Sequence, residues 1–174
     1  LRGGYYDHSG VTRDMVQNHI LSVLSLVAME PPASITGDSV RNEKVKVLEA
    51  IRPMEPEEVL ANTVRGQYGA GVIGGKHVPA YRSEPDVDPA SNTETFVAMK
   101  LMVENWRWAD VPFFIRSGKR LASHTTQIVI GFRRTPLLLF GRKVEDDIMP
   151  NRLVIHVQPD LSLIHISEPT RPER

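Results

Sequence analysis

The order of the periodic patterns predicts an α+β fold, with a mostly antiparallel sheet that carries helices on one face. Apolar residues recur at helical spacing in the first third of the chain, and further along the period changes to two. Helical patterns followed by strand patterns are typical of folds in which helices cover one face of such a sheet. The 174 residues, 41% of them hydrophobic, suffice for one domain with its own core.

Three helices are predicted near the start of the chain. The first covers residues 12–29 and ends before Pro31-Pro32, since proline cannot continue a helix. The second covers residues 39–51, with Asp38 or Ser39 as its N-terminal cap. A third, short helix begins at Pro56, where acids follow at its positive end. The buried stripe of the first helix consists of Met15, Val16, Ile20, Val23, Leu24 and Val27.

Alternating apolar residues predict the strands that follow. The longest strand should cover residues 95–108, which would place Trp106 and Trp108 on one face as core or subunit-contact residues. Residues 63–68 are a further candidate strand. Shorter strands are predicted around Phe113 and Ile115, around Ile128, Ile130 and Phe132, and around Leu153, Ile155 and Val157.

The segment 69–91 contains a run, Gly69 to Gly74, that has the glycine spacing of a dinucleotide-binding loop. Such a loop works by leading from a strand into a helix whose N-terminus meets the pyrophosphate. Pro79, Pro85 and Pro89 leave no room for that helix, and His77 stands where a P-loop needs Ser or Thr. We therefore predict a surface loop without nucleotide.

Residues 161–174 do not continue the strand pattern. They contain two prolines and no periodic face, so we predict a disordered tail that is not native to the protein.

Composition excludes several classes of partner. Twenty-one basic residues balance 21 acidic ones, so no net field predicts nucleic-acid binding. The longest apolar stretch, about residues 20–29, is too short to cross a bilayer, and no signal peptide is visible. The absence of cysteine suits a cytoplasmic location, and the six histidines show no metal-ligand spacing.

His19 is the candidate general base, because a neutral imidazole accepts a proton near neutral pH. The alternative is a histidine at the edge of the helix stripe that bonds a nearby carbonyl, and spacing alone favours this alternative. Asp14 precedes His19 by five residues, about 140° around an α-helix at ~100° per residue, so the two should not share a face. Alone, Asp14 reads as an acid in the first turn of the helix.

The run Arg116-Ser117-Gly118-Lys119-Arg120 follows an apolar strand and brings three cations to one turn. Such a cluster can hold a phosphate monoester through charge-assisted hydrogen bonds. A solvated hairpin end is the alternative.

Several ordered motifs together resemble the glucose-6-phosphate dehydrogenase family, bacterial type. The resemblance covers about residues 2–160. It is carried by Gly3-Gly4-Tyr5-Tyr6-Asp7, Arg13 to His19, Val27-Ala28-Met29-Glu30, Glu43 to Leu48, Arg65-Gly66-Gln67-Tyr68, Asn105-Trp106-Arg107-Trp108, Val111-Pro112-Phe113, Arg116 to Arg120 and Leu153-Val154-Ile155.

The resemblance implies an oxidoreductase in which His19 removes the C1 hydroxyl proton of glucose 6-phosphate while hydride passes to NADP. It implies that Asp14, Lys119 and Gln158 bind the substrate, and that 6-phosphoglucono-lactone enters the pentose phosphate pathway. His124 stands where many members have a second basic residue, so its role stays open.

The resemblance also implies that the chain is an internal piece of a longer enzyme. Residues 1–160 would be part of the C-terminal α+β domain including the active-site helix, without the nucleotide-binding domain. We therefore expect no NADP-binding residues and no activity from the chain alone, and a dimer or tetramer for the intact protein. The alternative is a non-catalytic sugar-phosphate-binding or oligomerisation module.

Overall fold

A computed structural model describes residues 3–133 and 150–166. The chain divides into two compact units, Leu1–Leu121 and Ala122–Arg174, and each is described by itself. Helices with antiparallel sheets confirm the predicted α+β class.

The first helical segment differs from the predicted single α-helix. It begins at Gly3 and consists of α1 (Gly3–Val11), a π-helix (Thr12–Ile20) and α2 (Leu21–Ala28). Gly10, with φ 68° and ψ 171°, makes a kink near the end of α1, so a separate helical stretch precedes the residue at which the helix was predicted to begin. None of the described helices has both the length and the apolar character that a membrane span requires.

Helices α3 (Gly37–Glu49) and α4 (Pro56–Asn62) lie close to their predicted positions. The predicted cap of α3 at Asp38 or Ser39 is wrong, because both residues are already inside the first turn. Thr36 is extended and its side chain accepts a hydrogen bond from the Ser39 N–H at 3.3 Å, as an N-cap does. Proline begins α4 as predicted.

The main sheet of the first unit has the order β1-β4-β5, and both pairings are antiparallel. Its strands are β1 (Thr63–Gly66), β4 (Phe96–Met102) and β5 (Pro112–Gly118). Phe114 and Lys100 are exposed on the other face, so helices cover one face, as predicted. Two core clusters join helices to sheet: Tyr6, Val11, Val16, Tyr81, Val87 and Val97 form one, and Leu24, Ala28, Val47, Leu101, Val103 and Ile115 form the other.

The predicted strand 95–108 is wrong beyond Met102. A turn follows, in which the Asn105 side chain accepts a hydrogen bond from the Trp108 N–H at 2.9 Å. The two tryptophans therefore do not share a strand face. Trp106 is fully exposed, whereas Trp108 packs against Phe113 and its indole N–H donates to the Ala28 carbonyl at 2.9 Å.

The predicted loop 69–91 is partly ordered structure. It contains a hairpin, β2 (Gly71–Ile73) with β3 (Lys76–Val78), and a short 3₁₀ turn at Tyr81–Ser83. Gly74 and Gly75 have φ of 55° and 77°, the positive values that a tight hairpin turn demands. The glycine run thus belongs to a hairpin rather than to a strand-to-helix loop. Tyr81 and Val87 are buried, so this segment also contributes to the core.

The second unit is an antiparallel sheet with the order β6-β7-β8. Its strands are β6 (Thr126–Gly131), β7 (Arg152–Gln158) and β8 (Ser162–Ile166). Disorder predicted from residue 161 is wrong for Ser162–Ile166, because the free edge of β7 supplies backbone partners that a local sequence pattern does not show. Residues 167–174 lie outside the described residues, and a non-native origin of the tail stays a prediction.

Candidate active site

The π-helix changes the relation between Asp14 and His19. In a π-helix each N–H bonds to the carbonyl five residues earlier, as the Leu21 N–H does to the Val16 carbonyl. Residues five apart therefore lie closer together around the helix axis than they would in an α-helix. The expectation that Asp14 and His19 occupy separate faces assumed α-helical geometry, which this segment does not have.

Glu94 accepts hydrogen bonds from backbone N–H groups at the start of the π-helix. Its carbonyl accepts from the Val11 N–H at 3.1 Å, and its carboxylate Oε1 accepts from the Thr12 N–H at 3.2 Å. Partial burial has the largest single effect and raises the pKa of Glu94, but the hydrogen bonds from Thr12 and from the Glu94 backbone N–H, together with the Arg65 charge, outweigh it and lower the pKa. The φ of 68° at Gly10 favours glycine, and a Cβ there would also stand 2.9 Å from Glu94 Oε1, so the carboxylate would have to move. The kink therefore depends on two residues far apart in sequence.

Asp14 and Lys119 meet across the layer between helix and sheet. Lys119 Nζ lies 3.7 Å from Asp14 Oδ2, and the side chains are 32% and 25% exposed respectively. Lys119 directly follows β5, and its N–H donates to the Thr95 carbonyl at 2.9 Å. Gly118 is closely packed, since a Cβ there would lie 2.9 Å from the Phe96 ring. The lysine backbone is thus fixed while its ammonium stays accessible to a ligand.

Tyr6 lies beneath the Lys119 ammonium, which is 5.0 Å from the centre of its ring. The side chain is only 5% exposed. Burial first, and then the nearby Asp14 charge, raise the pKa of the Tyr6 hydroxyl, so it stays protonated. Sequence reasoning gave Tyr6 no role, because an aromatic residue in a helix gives no sign of which cation it will face.

The three cations predicted to converge at the end of β5 do not. Arg120 pairs with Glu84 and lies over the Tyr68 ring, 5.7 Å from its centre. Arg116 is exposed on the strand. Lys119 alone of the three pairs with Asp14.

The His19 side chain is exposed on the π-helix. Within residues 3–133 and 150–166, no carbonyl accepts a hydrogen bond from its imidazole, and no ion pair joins it to Asp14 or Lys119. An exposed imidazole on the helix that carries Asp14 can accept a proton from a bound alcohol. Across the same described ranges, no cluster of three or more His, Asp or Glu side chains could hold a metal ion.

Gln158 belongs to the second unit, at the end of β7. Its side-chain oxygen accepts from the Thr126 hydroxyl at 3.5 Å and its carbonyl from the Thr125 hydroxyl at 3.1 Å. His124 is exposed just before β6. The structure therefore brings Asp14 and Lys119 together, places His19 on the same π-helix as Asp14, and leaves Gln158 in a separate unit.

Comparison with known proteins confirms the resemblance seen in the sequence. The family profile "Glucose-6-phosphate dehydrogenase, C-terminal domain" matches residues 1–170. The chain is 54% identical over 159 residues to glucose-6-phosphate 1-dehydrogenase of Bacillus subtilis, a match that covers 91% of this chain and 32% of that protein. It is 47% identical over 172 residues to the Treponema pallidum protein of the same name, covering 97% of this chain and 33% of that protein.

Solved structures agree with these relatives. Glucose-6-phosphate 1-dehydrogenase from Mycobacterium avium matches with a TM-score of 0.78 and 37% identity, over 95% of this chain and 33% of that one. A structure of glucose-6-phosphate dehydrogenase in complex with its substrate glucose-6-phosphate matches with a TM-score of 0.77 and 36% identity, over 95% of this chain and 36% of that one. The chain thus spans about a third of the length of its curated relatives. It belongs to the family of glucose-6-phosphate dehydrogenase C-terminal domains.

Proposed function

We propose that this chain supplies the sugar side of the active site of a glucose-6-phosphate dehydrogenase, as an internal piece of the enzyme. The observation that carries the proposal is the pairing of Lys119 at 3.7 Å with Asp14, on the π-helix that also carries His19. An anion paired with a cation, and an imidazole on the same helix as the anion, suit a substrate that has hydroxyls, a phosphate and a proton to lose. Several relatives bear the name of this enzyme, and one related structure holds glucose 6-phosphate.

Each of the three residues has a chemical role in this proposal. The Asp14 carboxylate accepts hydrogen bonds from sugar hydroxyls, and the Lys119 ammonium binds the anionic substrate. A neutral His19 imidazole takes the C1 hydroxyl proton as hydride leaves the same carbon, which yields the lactone. The oxidation is complete when both the proton and the hydride have left. Gln158 is a further, weaker candidate for the sugar site.

The residues that the structure describes do not form a binding loop for NADP, the hydride acceptor of the family. The glycine run 69–74, which has the spacing of such a loop, forms β2 and the start of the hairpin turn instead. No helix follows it to receive a pyrophosphate. The proposal therefore assigns dinucleotide binding to other parts of a longer polypeptide. We further propose that the intact enzyme is cytoplasmic and active as a dimer or tetramer.

The general-base role is tested by His19→Asn in the complete polypeptide that contains this sequence. Because general-base catalysis is worth ~10²–10⁴-fold, kcat should fall by about that factor while KM for glucose 6-phosphate changes little. His8→Asn is the matched control, since His8 is also an exposed helical histidine. A kcat close to that of the unaltered enzyme would remove His19 from the mechanism.

The same preparation distinguishes the enzyme from a non-catalytic module. An unaltered protein that binds glucose 6-phosphate in calorimetry but reduces neither NADP nor NAD would favour the module.

A further inference from the structure

Three of the chain's four tyrosines, the buried Tyr6 and Tyr81 and the partly buried Tyr68, form one cluster beneath Lys119 and Arg120. The rings of Tyr6 and Tyr81 meet edge to face with centres 6.3 Å apart, and those of Tyr68 and Tyr81 do so at 5.6 Å. Each outer ring carries one cation: Lys119 lies over Tyr6 and Arg120 over Tyr68.

The two cations differ in what else holds them. Arg120 is anchored by Glu84, which also accepts a hydrogen bond from the Tyr68 hydroxyl at 3.2 Å. Among the residues that the structure describes, the Lys119 ammonium has only the longer contact with Asp14 at 3.7 Å and the contact with the Tyr6 ring at 5.0 Å. The position of the Lys119 ammonium therefore depends more on the ring beneath it.

The three tyrosine hydroxyls also differ in their hydrogen bonds. Tyr81 donates to Asp7 at 2.9 Å, and Tyr68 donates to Glu84. The buried hydroxyl of Tyr6 has no hydrogen-bond partner among the described residues. A buried tyrosine hydroxyl normally forms a hydrogen bond, and that of Tyr6 forms none with the described residues. The specific contact of Tyr6 is therefore made by its ring, with the Lys119 ammonium.

We infer that Tyr6 is a positioning residue for substrate binding, whose aromatic face holds the Lys119 ammonium beside Asp14, ready to meet the anionic sugar phosphate. The inference rests on the proposed function and adds to it the device that orients the lysine. A ring face attracts a cation through its quadrupole, and partial burial of the ammonium strengthens that attraction. Because the ring is rigid and buried, the flexible lysine loses less freedom when the substrate arrives.

The test uses the complete polypeptide with four changes: Tyr6→Phe, Tyr6→Leu, phenylalanines of increasing fluorination at position 6, and Tyr5→Leu as control. Tyr5 is the exposed neighbour of Tyr6. Tyr6→Phe and Tyr5→Leu should keep KM for glucose 6-phosphate. Tyr6→Leu should raise KM about tenfold with kcat changed less than about twofold, given the usual strength of cation–π contacts.

The fluorinated series separates positioning from packing. Fluorine weakens the ring quadrupole while nearly preserving its size, so KM should rise stepwise with each added fluorine. A merely structural ring would leave KM constant along the series. This series also decides the matter if Tyr6→Leu does not fold, and a flat series would overturn the inference.

A second measurement keeps the inference separate from the proposed function. In the 174-residue chain, ring current should shift the terminal methylene protons of Lys119 upfield in the NMR spectrum, in the unaltered protein and in Tyr6→Phe but not in Tyr6→Leu. If the unaltered complete polypeptide shows no turnover, the proposed function fails, and this shift still decides whether the ring holds the lysine. An unshifted Lys119 in the unaltered chain would overturn the inference.

Discussion

Asp7 ties α1 to the segment that follows the β2–β3 hairpin. Its carboxylate accepts hydrogen bonds from the Ser91 hydroxyl, from the Tyr81 hydroxyl at 2.9 Å and from the Asp88 N–H at 3.4 Å. The Ser91 hydrogen bond above all, opposed by burial and aided by Tyr81, lowers the pKa of Asp7. These contacts place Tyr81 against Tyr6, and so they support the ring beneath Lys119.

The lowered pKa fixes the direction of a pH effect. Because the folded state binds the proton more weakly than the unfolded state, Asp7 stabilises the fold above the ordinary carboxyl pKa of about 4. That contribution should be lost as the pH falls through the lower, folded-state pKa. Asp7→Asn should cost about 1 kcal/mol at pH 7 and flatten the acid limb of the stability profile.

Urea unfolding of the chain at several pH values measures this contribution. The exposed Asp38→Asn is the matched control and should leave the acid limb unchanged. An acid limb of Asp7→Asn as steep as that of the unaltered chain would show that Asp7 contributes no pH-dependent stability.

The joint between α1 and the π-helix is the element on which the site depends. Gly10 has a backbone conformation that is essentially restricted to glycine, and its Cα faces the Glu94 carboxylate. Gly10→Ala should therefore lower the free energy of unfolding by about 2–3 kcal/mol, from backbone strain and the clash with Glu94. It should also lower kcat of the complete enzyme, because the helix that carries Asp14 and His19 would shift.

Gly37→Ala is the matched control for Gly10→Ala, because a Cβ at Gly37 meets nothing within 4 Å. It should change the free energy of unfolding by less than about 0.5 kcal/mol in urea denaturation. Equal effects of the two substitutions would contradict the role given to the kink.

Sequence periodicity identified the helices but not the kind of helix. The apolar residues from Met15 to Val27 fit a helical period, but the predicted buried stripe is wrong at Val23, which is exposed. Val16 and Leu24 are buried as predicted, whereas Ser25 and Ala28 are buried although they were outside the stripe, because the π-helix changes the angle between successive side chains. The start of the π-helix is held by Glu94, a residue far away in sequence, which accepts a hydrogen bond from the Thr12 N–H. Periodicity also failed at Trp106 and Trp108, where the side chain of Asn105 builds a turn inside an apparently alternating pattern.

Long-range contacts explain what else the sequence could not show. The strand β8 exists through its partner β7, and Asp14 meets Lys119 only when β5 packs against the π-helix. The charge and spacing of the run 116–120 suggested Lys119 as a phosphate ligand. Only the resemblance to a family implied that Lys119 and Asp14 bind the same substrate. The ring of Tyr6 under the lysine could not be predicted, since it depends on the packing of three tyrosines.

The proposed function gives this chain the sugar side of the active site and assigns dinucleotide binding to other parts of a longer polypeptide. The purified 174-residue chain, mixed with glucose 6-phosphate and NADP, should therefore form no reduced nicotinamide above the blank. The Bacillus subtilis relative serves as the positive control in the same absorbance assay. Steady turnover by the chain alone would contradict the division of labour proposed between this segment and the rest of the enzyme.

The position of His19 relative to bound sugar tests the central claim most directly. A crystal structure of the complete polypeptide with glucose 6-phosphate should place an imidazole nitrogen of His19 within roughly 2.6–3.2 Å of the C1 oxygen, with Asp14 and Lys119 on the same sugar. A ring remote from that oxygen, or turned to solvent on the opposite side of the π-helix, would contradict the general-base assignment.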